Sequence, residues 1–109
     1  MYGIINIGDY VFAKCPNLQS VVMPNSLASL YTNVFLECTS LINIEIPSSV
    51  ISIGVNAFYN CTALESVQFG NIVGWQAGTA NIAPTDLENK EIAAEYLKST
   101  YCNCMWKRS

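Results

Sequence analysis

Apolar residues recur with a fixed spacing along the first part of the chain. A step of 23 residues joins like with like, and the matched sets are Phe12, Phe35 and Phe58; Cys15, Cys38 and Cys61; Leu18, Leu41 and Leu64; Val21, Ile44 and Val67. A fixed period of this length is the signature of a repeat architecture, in which each unit is one supersecondary element. The period therefore predicts about three consecutive units, preceded by part of another.

Each unit contains a segment that predicts a β-strand. Residues 18–23, 41–46 and 64–69 follow the pattern L-x-x-[VI]-x-[MIF], with apolar side chains on alternate positions near its end. Pro24, Pro47 or Gly70 comes next. Proline cannot donate to a sheet ladder, so it ends the predicted strand.

The rest of the unit predicts a return path to the next strand. "SLASL" and "SVISI" predict a second short extended piece, and "VFLECTS" and "AFYNCTA" predict a tight turn. One such coil cannot bury its own apolar edge, whereas stacked coils share a continuous core. We therefore expect a mostly β repeat solenoid, right-handed, with a parallel sheet along one face.

The period ends at Gly70, and residues 71–109 predict a different structure. A hairpin is expected near residues 72–83 and a helix near residues 89–100. The helix start has two candidates, a capping box of Thr85 with Glu88 and an N-cap at Asn89. The aromatic residues of this segment are expected to be core or docking residues; they are Trp75, Tyr96, Tyr101 and Trp106.

These features divide the chain into repeats at 1–70 and a capping segment at 71–109, because a solenoid needs a lid over its last coil. The chain starts with "IINIG" inside a unit, where nothing caps the edge. We expect either a longer array upstream or self-association through this N-terminal edge.

The stretch "CTSLINIEIPSSVISIGVNAFYNC" resembles the BspA-like leucine-rich repeats of bacterial and protist surface proteins. The resemblance covers about residues 4–70, with Tyr31, Val34 and Gly70 as departures from the usual Gly, Ala and Pro. It implies a leucine-rich-repeat solenoid, a location outside the cell or on its surface, and adhesion to host or microbial proteins. It implies no enzymatic activity and no cofactor.

Composition narrows the function classes further. The 109 residues fit one domain, with 51% apolar and 12% charged residues and a net charge of −3. This charge argues against nucleic acid, which requires a basic surface. No apolar run approaches the ~20 residues that span a bilayer. No secretory signal is visible, which fits either a cytoplasmic protein or a piece of a longer exported one.

Candidate catalytic chemistry is sparse. The chain has no histidine, so the commonest general base and metal ligand is missing. Glu37, Glu45 and Glu65 have no second carboxylate placed for acid–base work. Asn60-Cys61-Thr62 fits the N-glycosylation pattern, which normally has no meaning in a bacterium.

The five cysteines predict structure rather than chemistry. Cys15, Cys38 and Cys61 fall in register, and coils ~4.8 Å apart are close enough for disulfides. Three residues cannot all pair, however, and in-register side chains point in parallel, which favours a buried ladder of thiols without metal. Cys102 and Cys104 are interpreted as structural filling, with an exposed oxidisable pair as the alternative.

One surface remains as a candidate for recognition. The strand positions that point away from the core are expected to form a protein-binding strip, namely Gln19, Ser20, Val22, Ile42, Asn43, Glu45, Glu65, Ser66 and Gln68. Val22 and Ile42 are the apolar candidates for partner contact. The alternatives are a merely solvated sheet face, or a purely structural cap or spacer of a longer array.

Overall fold

The computed structural model of the protein describes residues 6–108. Its elements, in chain order, are β1 (Asn6–Ile7), β2 (Ser29–Leu30), β3 (Asn43–Ile46), β4 (Ser52–Ile53), β5 (Ser66–Phe69), β6 (Trp75–Ala77), β7 (Ala80–Asn81), α1 (Pro84–Glu88), α2 (Lys90–Glu95), a π-helical turn (Tyr96–Thr100) and β8 (Trp106–Arg108). The fold is thus a repeat structure of short strands with short helices near its C-terminus. Residues 1–5 and 109, at the ends of the two predicted segments, lie outside the described residues.

The 23-residue period of the sequence reappears in the structure as the register of the parallel strand pairs. β1, β2 and β4 run parallel, with Ile7 beside Leu30 and Leu30 beside Ile53. β3 and β5 form a separate parallel pair, in which Ile44 lies beside Val67. Each of these pairs joins residues 23 positions apart. Each unit is therefore stacked directly on the next.

The predicted strand at residues 18–23 is wrong. Only one backbone hydrogen bond joins this segment to the next unit, from Ile42 N to Gln19 O at 3.1 Å. A single bond does not make a ladder, and no described strand flanks the segment on its other side. The sheet of the L-x-x-[VI] segments therefore has two strands. The larger sheet is instead six-stranded, in the order β1-β2-β4-β8-β6-β7, and mixes parallel with antiparallel pairs.

A stack of three phenylalanines forms the centre of the repeat core. The ring centroids of Phe12 and Phe35 lie 5.4 Å apart, and those of Phe35 and Phe58 lie 5.3 Å apart, with nearly parallel planes. The backbone sets this spacing, because Phe12 N donates to Val34 O at 2.9 Å and Phe35 N donates to Ala57 O at 2.8 Å. Stacked aromatic pairs contribute roughly 0.5–1.5 kcal/mol beyond their buried area.

The turn around each phenylalanine requires left-handed backbone on both sides. Residues with positive φ recur with the period; they are Tyr10, Asn33 and Asn56 before the ring, and Lys14, Glu37 and Asn60 after it. This conformation costs most residues roughly 1–2 kcal/mol, while asparagine tolerates it better. The inter-unit hydrogen bonds therefore hold Tyr10, Lys14 and Glu37 in an unfavoured conformation.

The in-register cysteines link each turn to the preceding unit. Cys38 Sγ donates to Phe12 O at 2.9 Å, and Cys61 Sγ donates to Phe35 O at 3.0 Å. Both residues are fully buried, and all five cysteines are free. Cys15 differs from the predicted buried ladder, because it is half-buried and its Sγ meets only Ala13 O at 3.8 Å. No described unit lies on its outer side to cover it.

Burial also keeps these thiols protonated. Burial raises the pKa of the Cys61 thiol to about 12, and the backbone of Cys38 and the Lys98 ammonium lower it only in part. Burial likewise raises the pKa of Cys38, with partial compensation from the backbone of Cys15. A thiol is a nucleophile only as its thiolate, so neither residue is suited to chemistry.

The C-terminal segment continues the hydrogen bonding of the last unit. β8 pairs antiparallel with β4, placing Trp106 beside Ile53. Asn56 N donates to Cys102 O at 2.8 Å, in the position where Asn33 N donates to Val55 O. Lys98 Nζ donates to Leu64 O at 2.7 Å. The C-terminal segment therefore hydrogen-bonds to groups of the last unit, such as Asn56 N, that would bond to the next unit if the repeat continued.

Local capping sets the start of the main helix. The side chain of Asn89 accepts from the backbone N–H groups of Glu91 and Ile92, so Asn89 is the N-cap of α2. Thr85 lies inside α1, whose N-cap Ala83 makes no side-chain hydrogen bond, so the alternative capping box is wrong. The strand β8 was not predicted, because three residues of a mixed tail carry no alternating pattern.

The four aromatic residues predicted for the core of this segment differ in how deeply they are buried. Trp75 and Trp106 are buried, with ring centroids 6.2 Å apart, and both pack on Phe69. Tyr96 and Tyr101 are half-buried and pack edge to face at 5.0 Å. Tyr96 Oη donates to Asp86 Oδ2 at 2.8 Å, and this bond raises the pKa of Tyr96. All four residues are thus packed, not free for a ligand.

Close stacking leaves no room for a Cβ at two glycines, Gly54 and Gly70, and Gly54 has an open counterpart elsewhere in the repeat. A Cβ on Gly54 would lie 2.5 Å from Thr32 N and 2.6 Å from the carbonyl carbon of Tyr31. The register equivalent Gly8 is open, since its Cβ would meet only Val11 Cγ2 at 3.8 Å. The two glycines therefore form a matched pair for testing the stack.

We expect Gly54→Ala to lower the free energy of unfolding by roughly 1–3 kcal/mol, because backbone atoms must move. The matched variant Gly8→Ala should change it by less than about 0.5 kcal/mol. Urea unfolding of both variants measures the difference. Equal free energies of unfolding for the two variants would contradict the close approach of Gly54 to the backbone of Tyr31 and Thr32.

Thiol labelling of the native protein should divide the cysteines into two groups. Cys15, Cys102 and Cys104 are half-buried and should react first, while Cys38 and Cys61 should react at least roughly a hundredfold more slowly because they are buried. Raising the pH from about 7 to 9 should leave Cys61 unreactive, since its pKa lies at about 12. Mass spectrometry of labelled peptides measures the rates, and rapid labelling of Cys61 would contradict the ladder.

Candidate recognition surface

Eight of the nine residues of the predicted strip are exposed, and the ninth, Ser66, is half-buried. In β3 the side chains of Asn43 and Glu45 are exposed while Ile44 and Ile46 are buried. β5 repeats this alternation, with Ser66 half-buried and Gln68 exposed. The other five, Gln19, Ser20, Val22, Ile42 and Glu65, are exposed as well. We call these nine residues the strand strip.

The middle of the strand strip lines a shallow groove of about 350 Å³. Six of the nine predicted residues contribute to it, namely Ser20, Val22, Asn43, Glu45, Ser66 and Gln68. The register places Asn43 beside Ser66 and Glu45 beside Gln68. Gln19, Ile42 and Glu65 lie outside this groove, at the beginning of the strand segments. The groove is therefore of mixed character, with hydroxyl, amide and carboxylate groups beside the apolar residues Val21, Val22 and Ile44.

Two apolar side chains lie on this surface. Val22 is 98% exposed, the highest value among the large exposed hydrophobic residues, and Ile42 is 37% exposed. Val22 also lines a second groove of about 270 Å³, together with Glu45, Pro47 and Gln68. An exposed valine beside carboxylate and amide groups is the mixture of apolar contact and polar rim found in protein interfaces.

Lys90 is a residue of this groove that sequence reasoning missed. It is the first residue of α2 and lines the same groove as Glu45. The N-cap at Asn89 fixes where α2 begins, and α2 contacts β5 more than any other strand. The sequence indicates the cap, but it carries no signal for the docking of the helix against the sheet. Lys90 gives the groove a positive group beside its carboxylate.

A second polar row crosses the six-stranded sheet. Its members pair from strand to strand, in the order Asn6, Ser29, Ser52, Lys107, Gln76 and Asn81. Two pairs within the row are hydrogen-bonded through their side chains. Ser52 Oγ donates to Ser29 Oγ at 2.8 Å, and Gln76 Nε2 donates to Asn81 Oδ1 at 2.7 Å. The row depends on β8, so the sequence repeat alone did not predict it.

The described residues offer few groups for other chemistry. Nowhere between residues 6 and 108 do three His, Cys, Asp or Glu side chains gather in a way that could hold a metal ion. Cys102 and Cys104 are free and half-buried. Within the same range, no helix is both long and apolar enough to cross a bilayer. The strand strip therefore remains the main candidate site.

Comparisons with a family model and with solved structures both indicate leucine-rich repeats. The family model described as the BspA type leucine rich repeat region matches residues 2–96 in six copies. A solved structure of a leucine rich cell surface protein from Faecalibacterium prausnitzii A2-165 is similar, with a TM-score of 0.62 and 29% identity. The match covers 72% of this chain and 20% of that protein. A comparison with curated proteins gives no significant match.

The family match runs past Gly70 and includes the hairpin, α1 and α2. The 23-residue register, which pairs each unit with the next in the parallel strand pairs, lies within the matched residues. The chain spans only a fifth of the length of the structural relative, as the 20% coverage shows. Because the family model covers most of the sequence, this chain belongs to the BspA-type leucine-rich repeat family.

Proposed function

We propose that the chain is a non-catalytic protein-recognition module of a bacterial cell-surface protein, which contacts its partner through the strand strip. The observation that carries this proposal is the alternation along β3 and β5. It buries every second side chain and exposes the others on one surface. Repeat proteins use such surfaces for binding, and partner contacts add up over neighbouring units.

The character of the strand strip supports a protein partner of mixed polarity. Glu45 and Lys90 give both signs of charge to the groove, and Val22 gives an apolar contact at its margin. The stacked backbone holds these groups in place, since β3 and β5 pair over four residues. A rigid surface loses little conformational entropy on binding, which favours affinity.

A role without catalysis follows from the position of the reactive groups. Burial raises the pKa of Cys61 to about 12 and also raises the pKa of Cys38, so neither thiol is available as a nucleophilic thiolate. The carboxylates of Glu45 and Glu65 are exposed on the strand strip, without the burial that tunes a general acid. The structural relative is a leucine rich cell surface protein, which supports a location outside the cell.

Replacing Val22 or Ile42 by aspartate should lower binding to the partner at least about tenfold, because a charge then replaces an apolar contact. The matched control is Val73→Asp, since Val73 is 60% exposed and lies outside the strand strip. Binding is measured by biolayer interferometry against a panel of extracellular-matrix proteins. Loss of binding in the control alone, or retention of binding in both strip variants, would contradict the proposal.

A closing role for residues 71–109 is the second candidate, and it is compatible with the first. We propose that these residues cap a right-handed leucine-rich-repeat solenoid formed by residues 1–70. The supporting observation is the pairing of β8 with β4, together with the bond from Asn56 N to Cys102 O. These contacts satisfy an edge that would otherwise be open to association.

If the segment acts as a cap, Trp106→Ala should lower the free energy of unfolding by roughly 3–5 kcal/mol, because it leaves a cavity beside Phe69 and Trp75. Cys61 in the repeats should then become labelled in the same urea transition that releases the tryptophan fluorescence. Met105→Ala is the control, since Met105 is its exposed neighbour. Separate transitions for the repeats and the C-terminal segment would contradict the capping role.

A further inference from the structure

We infer that a groove on the six-stranded sheet is a binding site for the ring of a neutral saccharide. The groove has a volume of about 400 Å³ and lies where β2, β4 and β8 adjoin. It shares no residue with the strand strip, so the inference goes beyond the proposed protein partner. We call it the tyrosine groove, and its main lining residues are Asp9, Ser29, Tyr31, Thr32, Ser52 and Met105.

Tyr31 interrupts the repeat at a position where both neighbouring units have glycine. Gly8, Tyr31 and Gly54 are 23 residues apart and directly follow β1, β2 and β4, so they lie side by side. Neither neighbouring strand therefore has a side chain level with Tyr31. Its own side chain is 43% exposed and is not part of the hydrophobic core. Packing within the fold does not require an aromatic residue here, and the ring is accessible to a ligand.

Met105 provides the opposite wall of the tyrosine groove. β8 pairs antiparallel with β4, so that Trp106 lies beside Ile53. One residue further along each strand, Met105 faces Gly54, and its side chain is 47% exposed. Tyr31 and Met105 are thus separated by one strand without a side chain at this level, and strands two apart in a sheet lie roughly 9–10 Å from one another. This spacing leaves room for one ring between the two side chains, above Gly54.

Hydroxyl and carboxylate groups lie beside this space. Ser29 is two residues before Tyr31, so both side chains are on one face of the sheet, and Ser52 lies beside Ser29. Ser52 Oγ donates to Ser29 Oγ at 2.8 Å, which leaves the proton of the Ser29 hydroxyl for another acceptor. Asp9 Oδ1 accepts from Thr32 N at 3.1 Å, a bond that positions the carboxylate and uses one of its roughly four acceptor sites. The tyrosine groove therefore offers both donors and acceptors to a ligand.

A neutral pyranose ring matches this combination of groups. Its ring C–H groups form an apolar face that packs on an aromatic side chain such as Tyr31, while each hydroxyl at its edge both donates and accepts hydrogen bonds. An apolar side chain of a protein would instead leave the serine hydroxyls and the Asp9 carboxylate without partners, which costs binding energy. Among the described residues that line the groove, Asp9 is the only charged one, so an anionic sugar would meet a like charge. The chemistry therefore favours an uncharged saccharide.

The test is a titration of the whole chain, followed through the backbone amide signals of Thr32 and Gly54 in NMR spectra. The probes are linear neutral tetrasaccharides of glucose, mannose, galactose and N-acetylglucosamine, with tetragalacturonate as the anionic counterpart of the galactose probe. We expect at least one neutral probe to shift both signals to saturation, and tetragalacturonate to bind at least about tenfold more weakly than that probe. Absence of a saturable shift with every neutral probe, or tighter binding of tetragalacturonate, would overturn the inference.

Two variants test whether the saccharide occupies the tyrosine groove. Tyr31→Gly installs the residue of the equivalent positions, so the chain should stay folded, as its spectral dispersion shows, while its affinity for the bound probe falls at least about tenfold. Asp9→Asn keeps an acceptor for Thr32 N but removes the charge, so it should narrow the preference for the neutral probe over tetragalacturonate.

The matched control is Tyr59→Ala, because Tyr59 is 42% exposed and lies outside the tyrosine groove. Its affinity for the probe should equal that of the unchanged protein. Full affinity in Tyr31→Gly, or an equal loss in Tyr59→Ala, would overturn the inference. Loss of binding to extracellular-matrix proteins in Tyr31→Gly would overturn it as well, because the occupant of the groove would then be a protein.

Discussion

In-register stacking of one unit on the next is the constraint on which the rest of the structure depends. With a period of 23 residues, each side chain lies beside its own equivalent, as Asn6 lies beside Ser29 and Ser29 beside Ser52. Such an arrangement favours residues that pack well on copies of themselves, such as phenylalanine in the core. It disfavours repeated charges of one sign, because equivalent positions are only ~4.8 Å apart. The low charged fraction of 12% fits this constraint.

The same constraint connects stability with the surface. Phe12 and Phe35 are each held by a backbone bond to the next unit and by a thiol bond from it. Since this core fixes the backbone, β3 and β5 present their part of the strand strip on regular strands, whereas Gln19, Ser20 and Val22 lie in a segment that forms no strand. One position varies from unit to unit, where Lys14, Glu37 and Asn60 share the left-handed conformation. There the chain alternates charge instead of repeating it, which avoids repulsion along the stack.

Much of the architecture could be predicted from residues that repeat. Phe12, Phe35 and Phe58 give the period, and the period gives the register, because stacked units have to align like with like. Exposure along β3 follows from simple alternation, which buries Ile44 and Ile46 and exposes Asn43 and Glu45. The irregular segment before Pro24 was not predictable, because strand formation there depends on a neighbour rather than on its own apolar pattern.

The C-terminal segment shows where prediction from sequence stops. Asn89 could be recognised as a cap because capping is local. The pairing of β8 with β4 and the position of Lys90 are tertiary, and no repeat or alternation encodes them. The left-handed residues were missed for a related reason, since Tyr10 and Lys14 adopt that conformation only under the hydrogen bonds of the stack.

The most direct measurement of the stacked register is by nuclear Overhauser effects among the phenylalanine rings. The chain has 4 phenylalanines, so selective labelling resolves every ring. The account predicts contacts from Phe35 to both Phe12 and Phe58, at centroid distances of 5.4 and 5.3 Å, and contacts from Phe69 only to Trp75 and Trp106. A spectrum in which Phe35 contacts neither ring, while the protein is folded, would contradict the stacking on which the fold and the strand strip both depend.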